Sequence, residues 1–514
     1  MKRIFAAVLA AVAMFAAGEA QAQKKTIVIG MGSADAGKLD PHIASTTPDK
    51  GLLQYMFNGL VRIRPGQISP DTIEPDLAES WTSNPNGTEW TFKIRQGVQC
   101  HSGYGEFTAE DAAYSLKRAA NKATSSYSND FSSVDKAEAV DKYTLKITLK
   151  NPVAGFLGYV ANVNGGNQIC KKAAEELGEN FSKKPIGTGP FMFAEYQPQQ
   201  FVKLVANKQY FRGAPKLDRI VYRYIPSDAS RDLAYQSGEI DLIYGTGSQT
   251  WVDRMKGLPN TDVMVFEPAE LTLLNLNITK PPLDNLKVRQ AFAYAINRDE
   301  VVKFVGAAVA RAGKSVVPIG YLGYSDDVPL IPFDLNKSKE LLKEAGFPNG
   351  VTLKAVQTNL PGMLHPMEVV QAQLRRAGIN LEFDVVEHAT FHANIRKDLS
   401  QVVEYTAARF PVADTYLTQF FHSAAIVGTP TAVTNFSHCN MADQEIEAAR
   451  SEPDAAKQKA LWKTAQQKLM YQVCAVPLHE ALLVWAKRSN LDLGYKLEGD
   501  LSLGPAVIET TQFR

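Results

Sequence analysis

The sequence predicts an α/β fold of two lobes or more, and three observations lead there. The chain has 514 residues, too many for one ordinary hydrophobic core. Amphipathic helical stretches alternate with period-two strands through most of its length. No single run of β-α units dominates, which argues for α/β lobes over a TIM barrel.

The N-terminus sets the compartment. Lys2 and Arg3 precede an almost wholly apolar run from Ile4 to Ala17, and Ala20-Gln21-Ala22 offers small residues where a signal peptidase reads them. That run is shorter than the roughly 20 residues a spanning helix takes. Residues 1–22 are therefore expected to be a signal peptide cleaved near Ala22 rather than a buried helix, and the mature chain to be exported and soluble. No cysteine follows the apolar run, which argues against a lipid anchor. Lys plus Arg number 55 and Asp plus Glu 54, and losing Lys2, Arg3 and Glu19 leaves the mature chain neutral. A neutral chain gives no electrostatic case for nucleic acid or an anionic membrane. Cys100, Cys170, Cys439 and Cys474 have no C-x-x-C spacing, so no thiol redox motif or zinc knuckle is supported. In an oxidising compartment they allow three pairings, and the spacing does not choose among them.

The elements follow in order. In "TTPDKGLLQYMFNGL" Thr47 is expected to cap a helix with Pro48 at its first position, and Leu52, Leu53, Met56, Phe57 and Leu60 fall on one helical face. "EWTFKIRQG" turns Trp90, Phe92 and Ile94 inward as a half-buried strand. In "FTAEDAAYSLKRA" Thr108 caps a helix with Asp111 in the capping-box position. "DKYTLKITLKNP" alternates again through Tyr143, Leu145, Ile147 and Leu149. "DNLKVRQAFAYAINRDEVV" sets Val288, Ala291, Phe292, Ala295 and Ile296 on one stripe behind a capping Asp284. "NKSKELLKEAGFPNG" is a helix ended by Gly346 and Pro348. "MEVVQAQLRRAGINLEFDVVE" is a helix, a Gly378 stop, and a strand with Ile379, Leu381, Phe383 and Val385 on one face.

Motifs that suggest catalysis fail on their own chemistry. "IGTGPF" at 186–191 lacks the Lys-Ser/Thr end of a Walker loop and the third glycine of a dinucleotide fingerprint, and Pro190 removes an amide that a phosphate cradle needs. It reads as a structural turn into the strand "FMFAEY". His388 and His392 are four apart but not in H-E-x-x-H order, and no third ligand is near in sequence. His438 and Cys439 are adjacent and face opposite sides of a strand. No G-x-S-x-G elbow occurs. The chain is expected to bind without catalysing, with no cofactor and no metal.

From Lys38 onward the chain resembles the dipeptide/oligopeptide-type extracytoplasmic solute-binding proteins of ABC importers, family 5. The matching stretches include "LDPH" at 39–42, "YMFNGLVRI" at 55–63, "IEPDLAESW" at 73–81 and "PIGTGPF" at 185–191. Others are "QSGEIDLIYG" at 236–245, "LNLNITKPPLDNLKVRQAFAYAINRDEVV" at 274–302 and "LLKEAGFPNG" at 341–350. The resemblance implies a two-lobed periplasmic-binding-protein fold with a ligand cleft between the lobes and a hinge crossed twice. Lobe I is expected to hold residues 23–272 with 486–514, including an inserted subdomain, and lobe II residues 273–485. The crossings are expected near 271–277 and 477–487. It further implies a monomeric periplasmic protein that closes on a small polar solute, peptide or peptide-like. The closed form would hand that solute to a membrane permease powered by a separate ATPase, meeting the inner membrane only through the permease.

The family's ligand residues carry over only in part. Peptide binders have a loop of the shape "RFPVADTYLTQFF" with a tryptophan, an amine-binding aspartate and a second Asp-Pro. Here Asp414 matches the second acidic position with Thr415 in place of proline, Pro411 stands where the amine-binding aspartate would be, and Ala408 or Thr406 where the tryptophan would be. The carboxylate-clamping arginine is missing, since "TNLPGMLHPMEV" has no basic residue but His365. Ordinary dipeptides are therefore disfavoured. Arg409, flanked by Phe410, can grip a carboxylate or phosphate, which points to an anionic or opine-like solute; the alternative is that it pairs with Asp414 or faces solvent. Ser45 and Thr46 are further candidates, the alternative being helix capping alone. So are Gly245, Thr246 and Trp251 in the polar turn "YGTGSQTW". Asn275 and Asn277 are expected to serve the hinge. Some relatives bridge two cysteines after the acidic motif; Cys439 matches the second and Ala424 stands near the first. That leaves Cys439 free or paired with Cys474, and Cys100–Cys170 as the other candidate bridge. Two other functions stay open: presenting a ligand to a chemoreceptor, and, disfavoured by the lack of a nucleophile, metal or paired acid, an exported peptidase or hydrolase.

Overall fold

Ile27, Ile29 and Met31 are buried within the strand Thr26–Met31, which lies parallel between Arg219–Tyr224 and Leu242–Tyr244. It belongs to the computed structural model of the chain, which describes residues 24–44, 46–128, 130–153, 155–163, 165–428 and 434–514. The expected signal peptide, residues 1–22, and the candidate Ser45 lie outside the described residues. The sheet around this strand runs Phe191–Gln197, Phe201–Ala206, Arg219–Tyr224, Thr26–Met31, Leu242–Tyr244, Ala475–Arg488, Thr261–Leu276 and Val402–Ala407, with Ala310–Ala312 also on Ala475–Arg488. A separate four-stranded sheet carries the alternating segments Glu89–Ile94 and Thr144–Leu149 side by side and is covered by the helix Ala109–Ala120. Thr108 and Asp111 form the expected capping box at the start of that helix.

The long strands Thr261–Leu276 and Ala475–Arg488 run through the whole architecture. They pair antiparallel from Thr261↔Arg488 to Asn275↔Ala475, and the register breaks between Phe266 and Glu270. Before the break, Phe266 and Leu483 pack into the core that holds Ile27, Leu52 and Phe92. After it, Leu274 and Val476 pack with Phe292 and Leu374, and Leu271 and Leu273 with Tyr416 and Trp462. The two halves of one strand pair thus serve different cores, so the chain is an α/β protein of two lobes whose hinge is crossed twice. Asn275 and Asn277 are fully buried beside it and donate to the Val403 carbonyl and the Asp398 carboxylate.

Several local expectations are corrected. The first helix spans Thr47–Leu53, its cap is Thr46 rather than Thr47, and it stops before Met56, Phe57 and Leu60, which are buried nonetheless. The reason is backbone competition. The Tyr55 and Met56 carbonyls accept from Phe191 and Gly189 amides at 3.0 and 2.9 Å, so "IGTGPF" docks on the chain where the helix would continue. A Cβ on Gly187 would lie 2.0 Å from the Met56 oxygen and one on Gly189 2.5 Å from the Met56 carbonyl carbon. The glycines are there for backbone-on-backbone contact, and the motif is architecture. The helix Leu286–Tyr294 is capped by Asn285, not Asp284, through a bond from the Lys287 amide, while its predicted apolar stripe is wholly buried. In the strand Ile379–Val386 only Ile379 and Leu381 are buried; Val385 is 47% exposed because this two-stranded sheet runs past the edge of its core. Cys100 pairs with Cys170 and Cys439 with Cys474.

Candidate functional site

A cleft of about 620 Å³ opens between the lobes. One wall comes from the helix Thr47–Leu53, Tyr127 and Asp130, and the helix Phe156–Ala161; the other from residues 408–410 and the helix Ala413–Phe421. Gly158 lets the walls meet, since a Cβ there would sit 2.2 Å from the Phe410 ring. Tyr159 stacks on Phe410, and the tight loop before the helix is held by the Tyr321 hydroxyl, which donates to the Arg409 carbonyl at 2.8 Å.

Charge is unevenly distributed here. Among the described residues lining the cleft, Lys50, Arg396, Arg409 and Arg450 are cationic and Asp130 and Asp414 acidic. Lys50 comes from lobe I and Arg409 from lobe II. Burial, and after it the Arg409 guanidinium, holds the Lys50 ammonium down to about 8, with Asp130 working the other way. Burial raises the Asp130 carboxyl to about 6 against the pull of Arg409 and Lys50. Lys50 also sits over the Tyr127 ring, 5.6 Å from its centroid.

Arg409 is held by neutral partners, with the Asp130 and buried Glu270 carboxyls within electrostatic reach of it. Its Nε donates to the Gln419 side chain at 2.6 Å, its Nη1 to the Ala408 carbonyl at 2.9 Å, and its plane lies over Phe420. It does not pair with Asp414; Arg450 does, at 3.5 Å. Asp414 is only 6% exposed, burial raises its pKa against Arg450, and its Oδ1 has no hydrogen-bond partner. The arrangement can hold an anion between two fixed cations and offer an acceptor oxygen to a donor on the same guest.

Arg409, Phe410 and Asp414 therefore line the cleft, and the other described candidates, Thr46, Gly245, Thr246 and Trp251, do not. Thr46 caps its helix through the Asp49 amide and carboxylate. Gly245 donates to the Val484 carbonyl with the Trp251 ring packed against it, and Thr246 lies in contact with Ser248. Trp251 is 3% exposed in a core with Tyr235 and Met255, its indole N–H on Asp232. This turn is drawn into the lobe I interior because the indole buries its apolar body and meets a carboxylate there. Lys50, Asp130, Tyr159, Arg396 and Arg450 escape a sequence reading, being single charged or aromatic residues on ordinary helices and turns. His388 and His392 face each other at 3.2 Å beside Arg396, whose charge disfavours a metal cation.

The chain matches the model of the bacterial extracellular solute-binding proteins, family 5 (middle), over residues 72–427. It is 29% identical over 492 residues to the glutathione-binding protein GsiB of Escherichia coli K12, covering 92% of this chain and 94% of that one. Among solved structures it is similar to MoaA from A. tumefaciens R10 in complex with mannopinic acid, at 47% identity and a TM-score of 0.84, covering 96% and 100% of the two chains. It is also similar to the periplasmic binding protein DppA of Helicobacter pylori in complex with the peptide STSA, at 27% identity and a TM-score of 0.80, covering 96% and 98%.

Proposed function

The chain belongs to the bacterial extracellular solute-binding proteins of family 5, and from that premise we propose that it is the periplasmic capture component of an ABC importer for an acidic, opine-like solute. The observation that carries the reading is the cationic excess of the cleft, with Lys50 and Arg409 facing it from opposite lobes. A carboxylate between them relieves their mutual repulsion and ties lobe to lobe. The resemblance to MoaA, solved with mannopinic acid, supports the same solute class. Asp414 supplies an acceptor for an N–H or O–H of the solute, with Phe410 and Tyr159 as its apolar wall.

Binding is then closure. The lobes turn on the strand pair 261–276 and 475–488 at its register break, so the change of lobe falls between Phe266 and Glu270 on the way out and between Ala481 and Leu483 on the way back, a few residues before the expected bounds of 272 and 485. A solute closes the cleft only by as much as it prefers the closed state, about 5.5 kcal/mol for a shift from 1:99 to 99:1. The closed form docks on a permease, the solute leaves unaltered, and residues 1–22 direct export. A thermal-shift and calorimetric screen tests the reading. Mannopinic acid and related acidic opines should stabilise the protein, by about 2.7 kcal/mol at 100 times the dissociation constant, while neutral sugars and simple dipeptides should not. Preference for a neutral or cationic solute would overturn it.

A further inference from the structure

Glu267 stands at the register break of the hinge and faces both lobes. Its amide donates to the Glu498 carbonyl at 3.0 Å and its carbonyl accepts from Asp500 at 2.8 Å, which binds its backbone to the C-terminal tail of lobe I. Its side chain reaches the other way. Oε1 pairs with Arg311 Nη1 at 2.6 Å, and Arg311 Nη2 pairs with Glu480 Oε2 at 2.6 Å. Arg311 and Glu480 are register partners beyond the break, and Arg311 Nη2 also donates to the Ile319 carbonyl at 3.3 Å, between Val317 and Tyr321 of the lobe II core. Glu480 is fully buried and also accepts from the Ile319 amide at 2.9 Å, so Arg311 is fixed from the lobe II side. The second oxygen of Glu267 accepts from the Ala269 amide at 2.7 Å and holds the turn whose Pro268 lines the cleft.

We propose that Glu267 is a positioning residue that ties the lobes together across the hinge through Arg311, so that this ion pair helps set how readily the cleft opens. The proposal rests on the hinge-closure reading above but not on the identity of the solute. The bidentate fork of Arg311 is what lets one cation serve a carboxylate from each lobe. Glu267→Gln removes the interlobe charge while an amide oxygen still accepts from Ala269 and Glu480 keeps its countercharge. Arg311→Lys keeps the charge but gives up the fork.

The described cysteines are all in disulfides, so paired spin labels at the exposed positions Val140 and Leu399, one on each lobe, report interlobe distance in the ligand-free protein. Glu267→Gln and Arg311→Lys should both shift the distance distribution to longer values with the melting temperature within a few degrees of the parent. With mannopinic acid as the probe, its dissociation should quicken by about fivefold. An unchanged distribution in a folded Glu267→Gln protein overturns the proposal. Failure of the parent to bind mannopinic acid counts against the solute assignment alone, because the ligand-free distances still decide the role of Glu267.

Discussion

Phe410 stacks on Tyr159 with ring centroids 6.1 Å apart and planes 25° from parallel, and through this pair lobe II touches lobe I across the cleft. The contact exists only because residue 158 has no side chain. An interlobe contact of this kind contributes to the closed state alone, so it enters solute affinity through the closure equilibrium rather than through the solute.

Phe410→Ala should therefore weaken binding without unfolding the protein. An aromatic pair contributes about 0.5–1.5 kcal/mol beyond its area burial, which is about a two- to tenfold loss of affinity at the least. Gly158→Val should do the same from the other side by displacing the ring. Titration calorimetry measures both; equal affinities in parent and variants would mean that the pair does not form on closure.

Lys50 and Arg409 should be energetically coupled through the solute. Each single change, Lys50→Met or Arg409→Met, removes a charged hydrogen-bonding partner and is expected to cost about 1.5–3 kcal/mol in binding an acidic solute. If one carboxylate bridges them, the double variant should lose less than the sum, by about 0.5–3 kcal/mol. Strict additivity would place the two cations on separate groups.

Affinity for an acidic solute should follow pH in two steps. Lys50, held down to about 8, is charged at neutral pH and loses its proton as pH rises through that value, so affinity falls above pH 8. A bound carboxylate raises the Lys50 pKa again, and binding near pH 8 should take up protons. Asp130, raised to about 6, becomes neutral as pH falls through that value, which removes a like charge and strengthens anion binding. Calorimetry in buffers of different ionisation enthalpy reads the uptake. Lys50→Met should abolish the upper step and Asp130→Asn the lower one.

The periodic elements were legible in the sequence because burial on one face leaves a repeat: the stripe from Val288 to Ile296 is wholly buried, and Thr108 with Asp111 caps as expected. The first helix was overread because Met56 and Phe57 keep the helical spacing while their neighbouring carbonyls bond to the glycine turn, a long-range competition with no local signature. In the site, Arg409, Phe410 and Asp414 stand out because they share one short stretch, a loop and the first turn of the helix after it. Lys50, Asp130 and Arg450 do not, since their convergence is a product of tertiary folding. Trp251 misled because an indole after a polar turn suits a cleft wall and a buried core equally well, and here Asp232 draws it inward.

Glu404 should make stability fall as pH rises through neutrality. It lies in the strand Val402–Ala407, 2% exposed, and accepts from the Gln357 side chain at 2.6 Å. Burial raises its pKa from 4.5 to about 8, against the pull of that hydrogen bond. Between those values the native state keeps the proton that the unfolded chain releases. Stability from this group is therefore complete below about pH 4.5, declines as pH rises toward 8, and is lost above it. Glu404→Gln supplies a neutral side chain of the same shape that can still accept from Gln357. Denaturant unfolding followed from pH 5 to pH 9 should show a shallower decline in the variant, and a gain over the parent that grows with pH. Parallel curves for the two proteins would mean that Glu404 is ionised in the native state and that another cation compensates it.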